Sequence, residues 1–324
     1  MQSRAGSSQV LGDLAWCGPN QPTPKIGLDQ AFRYCERLAE THYENFSVTN
    51  WWLPRELRPH FASIYAYCRW SDDLADEMAS PELATELLAW WRSELHDCFR
   101  GKASHPVFVA LRQTIDIFAI PPEPFEDLLS AFLQDQTKTR YEDDGILFDY
   151  CRRSANPVGR LVLALAKSTS KESSSWSDSI CTGLQLANFC QDVAVDAKRG
   201  RIYLPHSRLV AAGVTEEEWT QGLGRSKLVL AGWLELARER LNCGLPLAQV
   251  GPGWFRRSIR LFVGGGLRIL GNIEQAECDV WNRAIEVTKW QKLSLLWKSI
   301  FQPLDKPNKQ GLTLSPSKQV HCNG

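Results

Sequence analysis

Phe61-Ala62-Ser63-Ile64-Tyr65-Ala66-Tyr67-Cys68-Arg69-Trp70-Ser71-Asp72-Asp73-Leu74-Ala75-Asp76-Glu77 is the stretch whose reading decides the fold. Positions 61, 65, 68, 72 and 76 recur at spacings of four, three, four and four. An α-helix turns about 100° per residue, so these side chains form one continuous stripe. Phe61, Tyr65 and Cys68 make the start of the stripe apolar. The spacing therefore predicts a core face that Asp72 and Asp76 extend, with Asp73 and Glu77 on a neighbouring face. Pro59 suits the first turn of this helix, where a missing N–H costs nothing.

A second stretch repeats the arrangement. Within a helix predicted over 175–199, Gln185, Asn188, Asp192 and Asp196 fall at i, i+3, i+7 and i+11. They form a polar ridge on a helix otherwise rich in Leu, Ala, Ile and Cys, which is costly unless something pairs with it. Two carboxylate pairs facing one another across a cavity repel unless divalent cations bridge them. Oxygen donors with room for water and phosphate oxygens favour Mg²⁺. A site of that kind binds a diphosphate and neutralises it as a leaving group. Taken singly, either run also reads as a solvated helix end, with Arg69 and Asp73 as an i, i+4 ion pair. Paired glycosidase carboxylates are a further reading in principle, against which the twin spacing and the helical surroundings argue.

Helical periodicity extends along the chain. Ala31, Tyr34, Cys35 and Leu38 follow the amphipathic template. Ser80-Pro81 starts a helix running to about Arg100, with Gly101 suited to its C′ position. Three prolines, Pro121, Pro122 and Pro124, introduce another that reaches roughly Lys138. Segments near 146–168, 224–242, 254–278 and 281–300 also read as helices, while the only extended run is Arg201-Ile202-Tyr203-Leu204. There is no repeat and no long linker. The expectation is one all-α domain over 27–301, with a flexible segment at 1–26 and a disordered tail at 302–324.

The chain has 324 residues with 37 Lys+Arg and 37 Asp+Glu, and this neutrality argues against a nucleic-acid module, which carries a basic excess. A hydrophobic share of 44% and a charged share of 23% fit a globular protein rather than a disordered one. The neutrality is a sum of unlike parts: residues 281–324 hold seven Lys+Arg against two Asp+Glu. None of the ten cysteines forms a CxxC pair and no signal peptide is evident, so a reducing, cytoplasmic setting is expected.

These residues resemble a known family, the head-to-head trans-isoprenyl synthases (squalene, dehydrosqualene and phytoene synthases). The segments that carry the likeness are His42-Tyr43-Glu44-Asn45-Phe46-Ser47, the run from Tyr65 to Glu77, Tyr150-Cys151, Ala155, Val158-Gly159, the run from Gln185 to Asp196, and Arg199-Gly200-Arg201-Ile202-Tyr203-Leu204-Pro205. In order and spacing they cover roughly residues 28–300. The resemblance implies an all-α isoprenoid synthase fold, a single helical bundle around a central cavity, with three Mg²⁺ ions and isoprenoid diphosphate substrates. It implies that Asp72, Asp76, Asp192 and Asp196 are the metal-binding carboxylates, with Asn188 and Gln185 supporting the second station. Arg69, His42, Asn45, Arg201, Tyr203 and Arg283 then stand where substrate is held, and Tyr65 and Tyr150 near the reacting carbons. For Arg201, plain charge complementing a helix end is an equally open reading.

Departures from the family pattern point to a branch. Where a typical member reads His-Ser-Lys-Ser-Phe-Ser, this chain has Glu44, Tyr43 and Asn45 in place of a cation and two small hydroxyls. Glu44 repels a diphosphate. The usual Val-Ala-Gly reads Ser154-Ala155-Asn156, followed by Pro157, which should kink the helix. Gly266 stands where a diphosphate-binding tyrosine is common. These losses weaken one anion site and spare both Asp stations. Condensing two farnesyl diphosphates requires holding two diphosphates, whereas starting from presqualene diphosphate requires holding one. The pattern looks like the bacterial hydroxysqualene synthase branch of hopanoid clusters, in which water captures the rearranged cation, with Asn156, Ser154 and Asn45 as candidates to position it. Head-to-head condensation of two prenyl diphosphates is the alternative, and a degenerate lipid-carrier or scaffold subunit the non-enzymatic one. All four aspartates being present argues for activity.

Gly264-Gly265-Gly266 lies inside a helical pattern rather than after a strand, so it reads as a close helix–helix approach, and NADPH is not expected. Trp290, Leu293, Trp297 and Ile300 share one side of the last predicted helix, with Lys289, Lys292 and Lys298 elsewhere. Core packing and peripheral contact with the inner membrane both suit that pattern. Functional coupling to neighbouring enzymes of squalene and hopanoid synthesis is a further expectation.

Overall fold

A computed structural model describes residues 9–22, 26–41 and 53–286. Its helices are α1 (Gln9–Cys17), α2 (Leu28–Thr41), α3 (Arg58–Asp76), α4 (Pro81–Phe99), α5 (Pro106–Phe118), α6 (Glu123–Asp135), α7 (Asp144–Ser154), α8 (Asn156–Leu165), α9 (Lys171–Gln191), α10 (Val193–Lys198), α11 (His206–Ala212), α12 (Glu216–Gln221), α13 (Ser226–Cys243) and α14 (Gly253–Gln275). Among the described residues there is no strand, only an isolated bridge between Arg140 and Ile202 in the run expected to be extended. No helix among them is long and apolar enough to cross a membrane.

Local chemistry sets the boundaries. The Ser80 hydroxyl accepts from Leu83 N–H at 3.3 Å to cap α4. Its C-terminal end closes through Gly101 at φ 77°, a conformation that costs glycine little. Ser170 and Ser173 cap α9 reciprocally. Two predicted helical segments are divided, the first at the kink expected from Pro157 and the second where no break was expected. The 146–168 segment divides into α7 and α8 around Ala155, because Pro157 lacks the N–H and collides with the preceding turn. The 175–199 segment divides at Asp192, which leaves helical geometry at φ −97°, ψ 11°.

Two apolar clusters form the interior. One gathers α1 to α6, the other α7, α9, α13 and α14. Leu161 and Leu165 of α8 enter the first while Leu163 and Ala166 enter the second, so α8 joins them into one body. At the heart of the first, Trp70 and Trp91 stack with centroids 5.0 Å apart. Trp70 Nε1 donates to Tyr34 Oη, Trp91 Nε1 to Ser71 Oγ and Tyr67 Oη to the Phe125 carbonyl. Each buried polar tip is thereby satisfied.

That core corrects the expected orientation of α3. Its buried face runs through Ser63, Ala66, Tyr67, Trp70 and Leu74. Phe61, Tyr65, Cys68 and Asp72 are only partly buried and Asp76 is exposed. The large indoles need the bundle interior, so the Asp stripe is turned aside. Asp73, assigned to the neighbouring face, is 1% exposed. Arg69 pairs with it in two places, Nε to Oδ2 at 3.1 Å and Nη2 to Oδ1 at 2.5 Å. The i, i+4 ion pair weighed from sequence is therefore present, and it offsets the desolvation of a buried carboxylate.

The segment 1–26, expected to be flexible, contains α1, which docks on the bundle. Cys17 Sγ lies 3.2 Å from His105 Nε2, and Tyr34 Oη donates to Asp13 at 2.6 Å. Among the described residues there is no disulfide. The predicted helix over 281–300 is absent as far as Glu286, where the chain is a loop. The rest of it, with Trp290, Trp297 and the nearby lysines, lies outside the described residues, as do His42, Tyr43, Glu44, Asn45 and the 302–324 tail.

Candidate active site

The ends of α3, α6 and α7, the middle of α9 and the segment after α10 converge on a cavity of about 250 Å³. Its wall includes Asp72, Asp76, Asp135, Tyr150, Ser154, Gln185, Arg201 and Tyr203, with Leu128, Ala131 and Phe132 as apolar lining. Seven residues singled out from sequence, Asp72, Asp76, Tyr150, Ser154, Gln185, Arg201 and Tyr203, thus share one space. The first station reaches the cavity through Asp72 and Asp76, one turn apart at the C-terminal end of α3, with side chains 48% and 40% exposed.

The second station stands beside this cavity. Asp192 sits at the α9–α10 break and Asp196 on α10, tied by Asp196 N–H to the Asp192 carbonyl at 2.8 Å. Asp196, Arg201 and Tyr203 border a narrow void that opens between Phe189, Val193 and Trp233. Burial and then the neighbouring Asp192 push the Asp196 carboxyl up to about 7, against the pull of Arg199 and Arg201. Burial also raises Asp192, eased by Arg199. Asn188 is exposed one turn before Asp192 and holds that residue's N–H through its carbonyl at 2.9 Å.

Arg201 lies between the stations. Nη2 is 3.9 Å from Asp76 Oδ1 and donates to the Asp135 carbonyl at 3.4 Å, while its charge lowers Asp196. Tyr203 stacks on Phe189 with centroids 4.0 Å apart, and Tyr141 and Tyr150 flank it at 5.6 and 5.9 Å. Aromatic faces of this kind stabilise a cation placed over them.

Besides Asn188, Asp192 and Asp196, the residues Tyr65, Arg69 and Arg283 also fall outside the cavity wall. Tyr65 is half-buried beside Arg69 and Asp72, its hydroxyl raised by burial and eased by Arg69. Arg283 is exposed on the loop after α14, close enough to Asp279 to help lower that carboxyl.

Asp135 went unnoticed in the sequence. It ends α6 four residues after the buried Ala131, and its Oδ2 accepts from Tyr150 Oη at 2.8 Å. Burial pushes its carboxyl up to about 6, moderated by Tyr150 and Arg201. The available signal was the stripe Leu128, Ala131, Asp135, where a carboxylate occupies an apolar position.

Among the described residues, no three His, Cys, Asp or Glu side chains gather closely enough to hold a metal by themselves. The donors present are oxygen atoms in pairs one helical turn apart, with the Asp192–Asp196 pair mutually repelling. Such a set suits a hard divalent cation whose remaining ligands are water and phosphate oxygens.

Gly266 on α14 stands at a close helix–helix approach. A Cβ there would lie 2.8 Å from Leu184 Cδ2 of α9 and 3.0 Å from Leu241 Cδ1 of α13. A Cβ on Gly183 of α9 would likewise lie 2.9 Å from Leu241 Cγ.

The profile of the squalene/phytoene synthase family matches residues 39–291. A phytoene synthase of Arthrospira platensis is 30% identical, over 86% of this chain and 94% of its own length. A hydroxysqualene synthase of Rhodopseudomonas palustris is 37% identical, over 65% of this chain and 73% of its own. The crystal structure of squalene synthase HpnC from Alicyclobacillus acidocaldarius superposes with a TM-score of 0.75 at 38% identity, covering 79% of this chain and 97% of that one.

Proposed function

The chain belongs to the squalene/phytoene synthase family, whose members are isoprenoid synthases acting on prenyl diphosphates, and from that footing we propose that it is a hydroxysqualene synthase. The reaction is ionisation of presqualene diphosphate, rearrangement of the cyclopropylcarbinyl cation and its capture by water. The observation that carries this reading is Gly266. Glycine carries no hydroxyl, and even a Cβ there would press on the terminal methyls of Leu184 and Leu241, so the tyrosine grip on diphosphate that the family resemblance puts at this position is missing. A site that has lost one anion grip suits a substrate with one diphosphate. The 37% identity to the hydroxysqualene synthase of R. palustris supports the same reading.

Asp72 and Asp76 on one side, and Asp192 and Asp196 with Asn188 and Gln185 on the other, would hold Mg²⁺, three ions by the family resemblance. When bound, the metal supplies the positive charge that lets diphosphate leave. The chain's own residues do the rest. Arg201, between the stations, meets the departing phosphate oxygens. Tyr150, Tyr203 and Phe189 present π faces to the cation. Leu128, Ala131 and Phe132 exclude bulk water from the cavity that shelters it.

Similarity to phytoene synthases over nearly the whole chain favours the second reading, head-to-head condensation of two prenyl diphosphates. One experiment separates them: purified protein with Mg²⁺ and, in parallel, presqualene diphosphate or farnesyl diphosphate, with products identified by mass spectrometry. Hydroxysqualene from the first substrate is the expected result. Turnover of farnesyl diphosphate without any hydroxysqualene from presqualene diphosphate overturns the assignment.

A further inference from the structure

The C-terminal ends of α6 and α7 are fastened side by side. Arg153 Nη2 donates to Gln134 Oε1 at 2.6 Å, Arg153 Nη1 to Ser130 Oγ at 3.2 Å, and Tyr150 Oη to Asp135 Oδ2 at 2.8 Å. Between these ties sit Ser154, the last residue of α7, and the other carboxylate oxygen, Asp135 Oδ1. Both atoms are buried, and neither has a hydrogen-bond partner among the described residues. Ser154 and Asp135 also line the same cavity as Asp72, Asp76 and Gln185.

Such a pair of atoms calls for an explanation. A buried hydroxyl or carboxylate oxygen left unsatisfied costs about 1–3 kcal/mol. A serine at a helix end ordinarily relieves this by bonding to the carbonyl one turn back, and Ser154 does not. The cavity of about 250 Å³ has room for water, which needs two or more polar partners to be held. A hydroxyl that both donates and accepts, lining the same cavity as a carboxylate oxygen that only accepts, supplies them.

We propose that Ser154 Oγ and Asp135 Oδ1 hold the water molecule that captures the carbocation. The inference rests on the hydroxysqualene reading above. A lone pair of the water oxygen forms the new C–O bond. The O–H bond then breaks, its electron pair stays on oxygen as the alcohol, and the proton passes to Asp135 Oδ1. Cation and carboxylate are both neutralised, and no co-reactant is needed. Tyr150, donating to Asp135 Oδ2, keeps Oδ1 turned towards the cavity. Ser154 positions the water and fixes which product forms.

The test is the molar ratio of hydroxysqualene to diphosphate released from presqualene diphosphate with Mg²⁺. It is read for wild type, Ser154→Ala and Ser154→Thr, with a thermal melt for each. A wild-type ratio near one, falling at least about fivefold in Ser154→Ala and recovering in Ser154→Thr, is the expected result. A merely structural role would lower both products together and leave the ratio alone. The melt establishes that each variant is folded at the assay temperature. A ratio in Ser154→Ala equal to that of wild type overturns the inference while leaving the hydroxysqualene reading standing. A wild-type ratio of zero overturns that reading, and the inference with it.

Discussion

Replacing Asp135 by Asn tests the electrostatics of the cavity directly. Asn keeps an oxygen to accept from Tyr150 Oη, has nearly the same volume and cannot ionise. In the folded protein, burial pushes the Asp135 carboxyl from 3.8 up to about 6. Folding therefore favours its protonated form. The group contributes its full stability below pH 3.8, and that contribution is lost as pH rises through about 6. At about 1.36 kcal/mol per pH unit of displacement, the loss amounts to ~3 kcal/mol, an upper figure for a group that retains one hydrogen bond. Asp135→Asn should match wild type near pH 4 and exceed it by about 2–3 kcal/mol above pH 6.5. With a urea m-value of about 3 kcal/mol/M, the unfolding midpoint moves by about 0.7–1 M. The assay is urea unfolding followed by circular dichroism from pH 4 to 8, in chelator and without phosphate. A midpoint difference that stays constant across that range would refute the reasoning, because a buried ionising carboxyl cannot give a flat difference.

Asp72→Asn and Asp192→Asn are each expected to lower Mg²⁺-dependent turnover by at least about 100-fold, with an unaltered far-ultraviolet spectrum. Survival of activity in either variant would make the two-station mechanism wrong. His105, ringed by Trp70, Trp90, Trp91 and Phe108, is held neutral by burial, which pushes it down to about 3. Its stabilising contribution is whole above 6.5 and falls as pH drops, so wild type should lose about 2 kcal/mol relative to His105→Asn between pH 6.5 and 5. Denaturation midpoints at the two pH values check this, and equal losses in both proteins would contradict it.

Much of the site was legible because helical spacing is a local property. The spacing alone sets Asp72 and Asp76, or Asp192 and Asp196, about one turn apart, whereas the structure puts the first pair in the cavity wall and the second pair beside it, at the α9–α10 break. Asp135 was not legible in the same way. It has no carboxylate one turn away, and its importance comes from Tyr150 and Arg201, residues brought beside it by the ends of other helices. The turn of α3 was also misjudged, because periodicity ranks apolar stripes by composition. The Trp70–Trp91 stack, a contact between two helices, decides which stripe is buried.

Sequence alone therefore determined the helical class, the places where Ser80 and Pro157 start or break helices, and the two Asp stations, since each depends on residues within a turn or two of one another. Tertiary structure decided the rest. It placed Arg201 between the stations, sealed Gly266 against Leu184 and Leu241, and left Ser154 Oγ and Asp135 Oδ1 without partners in a shared cavity. Those outcomes depend on distances between residues far apart in the chain, which are set only when the bundle closes around its indoles.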